Sequence, residues 1–162
     1  MIWTRRKMAL PVLAAVLAAV GFQGARNTPA PADPLIEGFK KTTVASVADA
    51  VDQVVGKRGF MSHDMQPRIA GAFVGRAVTA LLRAAPPEKA TAQLSVLHSI
   101  EMIDNAKPGE VGVIVIEGSL DVSALGGLMA TTAKAREMAG MVLDGSVRDV
   151  AEVRALGLPV YA

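Results

Sequence analysis

The adjacent residues Arg148 and Asp149 have the side chains needed to bind an anionic substrate and a divalent metal. The planar guanidinium of Arg148 matches a carboxylate or a 2-oxo acid, and the hard oxygens of Asp149 suit Mg²⁺ or Mn²⁺. The pair follows an apolar run from Gly140 to Leu143, which predicts a buried strand, and a turn at Asp144-Gly145. Because ligands of open α/β sheets gather at the carboxyl ends of strands, this order predicts a binding site.

A glycine turn at Gly126-Gly127 provides a second candidate binding element. Glycine has no Cβ, so the backbone there can approach a ligand closely. The residues that follow have a helix-forming composition, with Leu128, Met129 and Ala133 at helical spacing. The free N–H groups at the start of that helix would bind a carboxylate or a phosphate.

A purely structural interpretation of the same residues stays open at this point. Asp149 could be the N-cap of the next helix, with Glu152 three residues later completing a variant capping box. Arg148 could be a solvated surface charge. Glycine pairs and Arg-Asp pairs are common, so neither motif alone decides between the two interpretations.

Four longer segments together resemble the RraA-like family, which includes regulators of ribonuclease activity and 4-hydroxy-4-methyl-2-oxoglutarate aldolases. The segments are TTVASVADAVDQV from Thr42 to Val54, GAFVGRAVTA from Gly71 to Ala80, PGEVGVIVIEG from Pro108 to Gly118, and the whole stretch from Ala124 to Ala162. The resemblance therefore extends over residues 42–162.

The resemblance implies an α/β fold, a layered swivelling β/β/α domain that assembles as a homotrimer or hexamer with sites near subunit interfaces. It implies a class II, metal-dependent pyruvate aldolase that cleaves 4-hydroxy-4-methyl-2-oxoglutarate or a related 4-hydroxy-2-oxo acid, with oxaloacetate decarboxylation as a companion activity. Because this cleavage leaves an enolate, a divalent cation and a guanidinium would stabilise the developing charge.

The family's site roles can be carried over residue by residue. By resemblance, Arg148 is the catalytic residue that binds the small 2-oxo acid substrate and stabilises the enolate, and Asp149 is the ligand of Mg²⁺ or Mn²⁺. The backbone amides of the glycine turn would hold the substrate carboxylate, and they belong to Gly126, Gly127, Leu128 and Met129.

The sequence departs from the family's pattern in two places. The aldolase signature has an acidic residue separated by twenty residues from the arginine, and that position here is Gly127. The family also continues beyond its Pro-Val-Tyr-Ala strand, whereas this sequence ends there at Ala162, so we expect a shortened C-terminus. Both departures favour an alternative function, a catalytically silent RraA-like regulator that binds other proteins.

The first 25 residues have the pattern of an export signal. A basic segment at Arg5-Arg6-Lys7 precedes an apolar run from Met8 to Phe22, and small residues follow at Gly24-Ala25. The run is short for a membrane span, and the arginine pair also fits a twin-arginine signal, so general-secretory and twin-arginine export both stay open, as does an uncleaved anchor. We expect a periplasmic or secreted protein without stable membrane insertion once the signal is cleaved.

The composition of the remainder limits its function. Without the signal, 14 basic and 15 acidic residues remain, and no basic stripe interleaved with aromatics is present, so nucleic-acid binding is not expected. The absence of cysteine excludes disulfides and thiolate metal sites. We expect a proline-rich linker and a short helix over residues 26–41, followed by one α/β domain over residues 42–162.

Hydrophobic periodicity predicts the main elements of this domain. We expect a helix over residues 43–55 capped by Thr42 or Thr43, a loop over 56–69, a strand over 73–82, a helix over 88–103 and a strand over 111–116. Four further polar residues are predicted to serve structural or surface roles rather than catalytic ones. They are Asp49 and Asp52 on an exposed helix face, and His63 and His98 at packing positions. Glu117 is predicted to be a solvated turn residue.

Overall fold

The computed structural model describes residues 32–118 and 122–162, and the predicted export signal lies outside these residues. Two helices begin the described chain, and pairs of consecutive strands then alternate with single helices. The helices are α1 (Pro34–Phe39), α2 (Val44–Val55), α3 (Ala92–Asn105), α4 (Gly127–Ala135) and α5 (Val150–Leu156). The strands are β1 (Pro67–Ile69), β2 (Ala77–Leu82), β3 (Val111–Ile116), β4 (Ser123–Leu125), β5 (Gly140–Asp144), β6 (Ser146–Val147) and β7 (Val160–Tyr161). The prediction of a mixed α/β fold is confirmed.

A five-stranded sheet in the order β1-β7-β5-β3-β2 forms the centre of the domain. The pairs β2–β3, β3–β5 and β5–β7 are parallel, whereas β1 pairs antiparallel with β7. Strand β3 lies between β2 and β5, which explains its unbroken apolar sequence, because a parallel strand is covered on both faces. Ile114 and Leu143 pair across this ladder, and both are fully buried.

The core is built mostly from aliphatic residues and methionine, as the scarcity of aromatics predicts. The largest apolar side chains with almost no exposed surface are Ile103, Ile114, Leu125, Met141, Leu143, Val153, Leu158 and Val160. They come from α3, α5, the central sheet, strand β4 and the segment before β7, so one continuous core fixes these elements against each other. The described aromatics contribute an edge contact between Phe73 and Tyr161, with ring centroids 5.8 Å apart.

A second, two-stranded sheet pairs β4 with β6 in parallel. Leu125, the last residue of β4, pairs with Val147, the last residue of β6. Parallel strands end at the same edge of a sheet. The residues that follow them, Gly126 and Arg148, are therefore brought side by side, and the N–H of Arg148 donates to the carbonyl of Leu125 at 3.0 Å.

Three predicted elements differ from the structure. The predicted loop over 56–69 contains the short strand β1, whose pairing with β7 depends on residues far away in the sequence. The predicted strand over 73–82 begins only at Ala77. Gly75 lies so close to the carbonyl oxygen of Gly109 that a Cβ would overlap it, so close packing rather than strand pairing fixes this segment.

The predicted helix over 88–103 also begins later than expected. Pro87–Lys89 forms a short 3-10 turn, and α3 starts at Ala92 because the side chain of Thr91 accepts the N–H of Leu94 at 3.2 Å. The predicted helix over 43–55 is confirmed as α2 with Thr43 as its cap, and the face bearing Asp49 and Asp52 is exposed. None of the helices in the described part of the chain has the length and apolar composition needed to cross a bilayer.

Candidate functional site

The candidate site lies where β4 and β6 end. Gly126 and Gly127 follow β4 and begin α4, while Arg148 and Asp149 follow β6 and begin α5. A Cβ built on Gly126 would lie 2.9 Å from Nε of Arg148 and 3.1 Å from Oδ2 of Asp149. The two sequence motifs, which are separated by about twenty residues, are therefore in direct contact, and a side chain at position 126 would force Arg148 and Asp149 to shift.

Asp149 directs its carboxylate towards α4 rather than towards its own helix. Its Oδ2 accepts the backbone N–H of Gly127 at 2.9 Å, and its side chain makes no capping bond to α5. Asp149 is the N-cap residue of α5, as the structural interpretation expected, but its side chain does not cap this helix, so the capping box with Glu152 is wrong. The backbone explains this geometry, because Asp149 is left-handed, with φ 57° and ψ 36°, a conformation that aspartate tolerates better than most residues.

Arg148 points largely into solvent at the same place. Its side chain is 74% exposed, and its Nε lies 3.6 Å from Oδ2 of Asp149, which is an ion-pair distance rather than a hydrogen bond. Among the described residues this is the only ion pair recorded for its guanidinium. Most of the planar fork of Arg148 is therefore available to an anionic ligand.

The start of α4 retains part of the predicted amide site. The N–H of Gly127 is already used by Asp149, whereas the N–H groups of Leu128 and Met129 belong to the first turn, where a helix has no internal acceptors. The predicted amides of this turn therefore differ in whether they already have an acceptor. The amides of Leu128 and Met129 are the ones that an anion could still reach in this turn, whereas the amide of Gly127 binds the carboxylate of Asp149.

These groups open onto one pocket of about 320 Å³. The loop-and-helix-start residues that line it are Gly126, Gly127, Arg148 and Asp149, and Glu152 of α5 completes this side. Its apolar wall comes from α3 and α4, through Val96, Ile100, Leu128 and Met129. A small anion with a short carbon chain fits a pocket of this size and lining.

Sequence reasoning did not assign Glu152 to the site. Glu152 lies three residues after Asp149 on α5 and lines the same pocket, and a Cβ built on Gly127 would overlap its Oε2 atom. The spacing of three residues, which places both carboxylates on one helix face, was a sequence signal for this position. From the sequence alone, the same spacing is interpreted as a helix-capping box instead.

The donor set fits a weakly coordinated hard cation. No cluster of three or more acidic or histidine residues that could hold a metal exists within residues 32–118 and 122–162. Magnesium is commonly held by one or two carboxylates together with water and substrate oxygens, and the carboxylate of Asp149, which is 41% exposed, is a donor of that kind. A cation that needs a complete cage of protein ligands does not fit.

The other polar residues considered from the sequence lie away from this pocket. His63 is exposed and lies 3.3 Å from Asp64, so its predicted packing role is wrong. His98 lines a separate, more open groove of about 480 Å³ between α3 and β2, where it pairs with Glu101. Glu117 is exposed as predicted and forms an ion pair with Arg83 at 2.6 Å.

The fold and the residues of this site identify the class of protein. The family model RraA-like (Aldolase/RraA) matches residues 44–162, and the chain belongs to that family. The solved structure of Streptomyces coelicolor RraAS2, described as an unusual member of the RNase ES inhibitor RraA family, is similar with a TM-score of 0.67. It is 25% identical, and the match covers 82% of this chain and 64% of that one.

Two relatives match over shorter segments. A protein of Albidiferax ferrireducens, named a candidate 4-hydroxy-4-methyl-2-oxoglutarate aldolase, is 46% identical over 57 residues, which are 33% of this chain and 33% of the relative. An uncharacterized protein of Methanocaldococcus jannaschii is 42% identical over 52 residues, which are 32% of this chain and 25% of the relative. The matched segments thus span between a quarter and a third of the length of these curated relatives.

Proposed function

We propose that this protein is a divalent-metal-dependent aldolase that cleaves 4-hydroxy-4-methyl-2-oxoglutarate or a related 4-hydroxy-2-oxo acid to pyruvate, with oxaloacetate decarboxylation as a companion activity. The observation that carries the proposal is the convergence of Arg148, Asp149 and the open amides of α4 on one pocket. The name of the Albidiferax relative supports the same reaction class.

In this proposal each residue has a distinct task. The N–H groups of Leu128 and Met129 bind the substrate carboxylate at the positive end of α4. Arg148 donates to the 2-oxo group and stabilises the negative charge that develops on its oxygen as the C3–C4 bond breaks. The apolar wall formed by Val96 and Ile100 contacts the carbon chain and helps to exclude water.

Asp149 would hold Mg²⁺ or Mn²⁺. A divalent cation supplies positive charge that stabilises an enolate oxygen. The Gly127 amide keeps the Asp149 carboxylate aimed into the pocket, since it donates to Oδ2, and no other described residue forms a hydrogen bond with this carboxylate. The left-handed backbone at Asp149 is part of the same arrangement, because it turns this side chain away from its own helix.

Pyruvate release from 4-hydroxy-4-methyl-2-oxoglutarate and from oxaloacetate, with Mn²⁺ and after chelation, tests the proposal. We expect metal-dependent turnover of both substrates in the wild-type protein. Asp149→Asn keeps the shape and tolerates the left-handed backbone but removes the charge, and Arg148→Lys keeps the charge but loses the planar fork. Each variant should lower kcat/KM by about 10²-fold or more. Full turnover in both variants would refute the assignment.

The alternative is a catalytically silent regulator that binds other proteins. The similarity to RraAS2, whose description refers to an inhibitor family, and glycine at position 127 favour this alternative. The same assay separates the two proposals. A well-folded wild-type protein that releases no pyruvate from either substrate, with or without Mn²⁺, would favour the regulator.

Two further expectations also stay proposals. We propose a homotrimer or hexamer, which sedimentation analysis of the protein would reveal as a single species of three or six chains. We also propose export to the periplasm or the medium. Cell fractionation, combined with the N-terminal sequence of the recovered protein, would test export and cleavage near residue 25.

A further inference from the structure

Strand β2 is the last strand of the five-stranded sheet and pairs on one side only. It matches β3 in unbroken parallel register along its whole length. The N–H groups of Val111 and Glu117 donate to the carbonyls of Arg76 and Leu82, so the backbone groups of the even-numbered residues of β2 face β3. The remaining backbone groups point to the open edge, where no described strand pairs with them, and they belong to Ala77, Thr79 and Leu81.

This open edge lacks the features that usually protect an edge strand. At the other end of the sheet, β1 contains Pro67 and Arg68, and its pairing with β7 is irregular. Proline removes a backbone donor and a charge resists burial, so both discourage the addition of a further strand. Strand β2 consists of six uncharged residues without a proline or a bulge. Its edge is therefore a suitable site for pairing with another strand.

A groove along this edge leaves room for an incoming strand. It has a volume of about 480 Å³ and is lined on one side by the four consecutive residues Val78–Leu81. Because successive side chains of a strand point to opposite faces of the sheet, four consecutive residues line one groove along the edge of the strand. The other side of the groove belongs to α3, through His98, Glu101, Met102 and Asn105.

We propose that β2 of a second copy of this chain pairs antiparallel with this edge, so that two five-stranded sheets join into one sheet of ten strands. The two-fold axis passes beside Thr79, which faces Thr79 of the second copy, and Ala77 faces Leu81. Every position with free backbone groups is then bonded, which gives about six hydrogen bonds. On the exposed face the two threonine hydroxyls meet, and a small side chain lies opposite a large one.

The register centred on Thr79 uses more of the open edge than its neighbours do. A shift of one residue would place the exposed side chains of one strand opposite the buried side chains of the other. A register centred on Ala80 keeps the faces matched, but it places Ala77 opposite Arg83, which lies beyond the end of the strand. That register retains about four hydrogen bonds, so the one centred on Thr79 is favoured.

The face of α3 beside the groove is complementary to itself. Leu94, His98, Glu101 and Asn105 follow one another at intervals of four, three and four residues, which places them on one exposed face of the helix. The two-fold axis reverses the second helix, so His98 faces Glu101 of the second copy and Leu94 faces Asn105. Imidazole and carboxylate groups form hydrogen bonds, as Nδ1 of His98 and Oε2 of Glu101 do within the chain at 3.1 Å. This complementarity favours a second copy over an unrelated strand.

This contact limits the number of chains in the assembly. A two-fold contact uses the same surface of both chains and therefore joins them in pairs. Of the trimer and the hexamer proposed above, the hexamer alone can contain such contacts, which would join two trimers. None of the residues of the contact lines the candidate pocket, so the contact is independent of the proposed aldolase activity.

Single cysteine substitutions test the contact and its register, since the chain has no cysteine of its own. Across the axis the two Cα atoms of residue 79 should lie about 5.5 Å apart, which suits a disulfide. We therefore expect Thr79→Cys to form a cross-linked dimer on mild oxidation, seen on a non-reducing gel. Leu81→Cys is the matched control and should stay uncross-linked, because its own counterpart lies roughly 13 Å away along the second strand. The double variant Ala77→Cys/Leu81→Cys should cross-link again.

A charge at the axis tests the contact without oxidation. In Thr79→Lys two ammonium groups would lie directly opposite each other, whereas the pairing with β3 does not use the backbone of this residue. We expect the wild-type protein to sediment as an even number of chains and Thr79→Lys as half that number, with unchanged circular dichroism. Thr42→Lys, at an exposed threonine before α2, should keep the wild-type mass.

Three outcomes would overturn the proposal. They are a monomeric wild-type protein, an unchanged mass in Thr79→Lys, and equal cross-linking of Thr79→Cys and Leu81→Cys. A monomer would leave the open edge of β2 to a strand from another protein, whereas equal cross-linking would indicate random collisions rather than a fixed register.

Discussion

Two adjacent glycines at the candidate site face different side chains. A side chain on Gly126 would contact Arg148 and Asp149, and one on Gly127 would contact Glu152. The sequence could predict that a glycine turn and an Arg-Asp pair would bind ligands. It could not predict which carboxylate opposes which glycine, because this depends on the left-handed backbone of Asp149, which the sequence pattern does not reveal.

Gly126→Ala should therefore impair the site without unfolding the protein. The new methyl group would lie 2.9 Å from Nε of Arg148 and 3.1 Å from Oδ2 of Asp149, so both side chains must move. A displacement of about 1 Å at a catalytic group can lower activity about 10²-fold, and we expect a fall of that order in pyruvate release. Gly38→Ala is the matched control, since a Cβ there has no neighbour within 4 Å. Equal activity in both variants would contradict the role assigned to Gly126.

The sequence predicted the long helices and strands more accurately than the short ones. Strand β3 and helix α2 are long enough for their hydrophobic patterns to be read, and both were predicted within a residue or two. Strands β4 and β6, with three and two residues, are too short to have a pattern, yet their parallel pairing brings the two halves of the site together. The elements that matter most for the site were thus the hardest to predict.

Helix α1 should respond to pH through Asp33. The N–H of Leu35, followed by the side chain of Arg76, lowers the pKa of the Asp33 carboxyl below its ordinary value of 3.8. Because the folded pKa is the lower one, the stabilisation is complete above pH 3.8 and is lost as the pH falls through the folded pKa. We expect α1 signals in NMR spectra to titrate in that acid range. Asp33→Asn, which still caps the helix, should abolish this titration; its persistence would contradict the assignment.

The whole molecule is organised by pairings between residues that are far apart in the sequence. The order β1-β7-β5-β3-β2 places the last strand between the first and the fifth, and no local pattern contains this information. The resemblance to a family predicted an α/β domain, and the matched residues 44–162 lie within the predicted range. The sequence thus indicated the domain and its main elements, whereas the sheet order became known only from the structure.

Substitution in the central sheet should affect the stability of the whole domain. Leu143 is fully buried on β5 and pairs with Ile114 on β3. Leu143→Ala should lower the free energy of unfolding by about 2–5 kcal/mol, since it removes buried surface and leaves a cavity. Val142→Ala, at a partly buried neighbour, should cost about 1 kcal/mol. Urea denaturation followed by circular dichroism measures both values, and equal losses would contradict this description of the core.

The unusual backbone of Asp149 is offset by what its side chain does. A left-handed residue other than glycine carries a conformational cost of about 1–3 kcal/mol. Glycine at position 149 would relieve that cost, but it would also remove the carboxylate that accepts the Gly127 N–H at 2.9 Å and on which the proposed chemistry depends. The gain and the loss in folding free energy are of similar size, so selection for thermal tolerance alone should accept either residue there, whereas selection for turnover should retain aspartate.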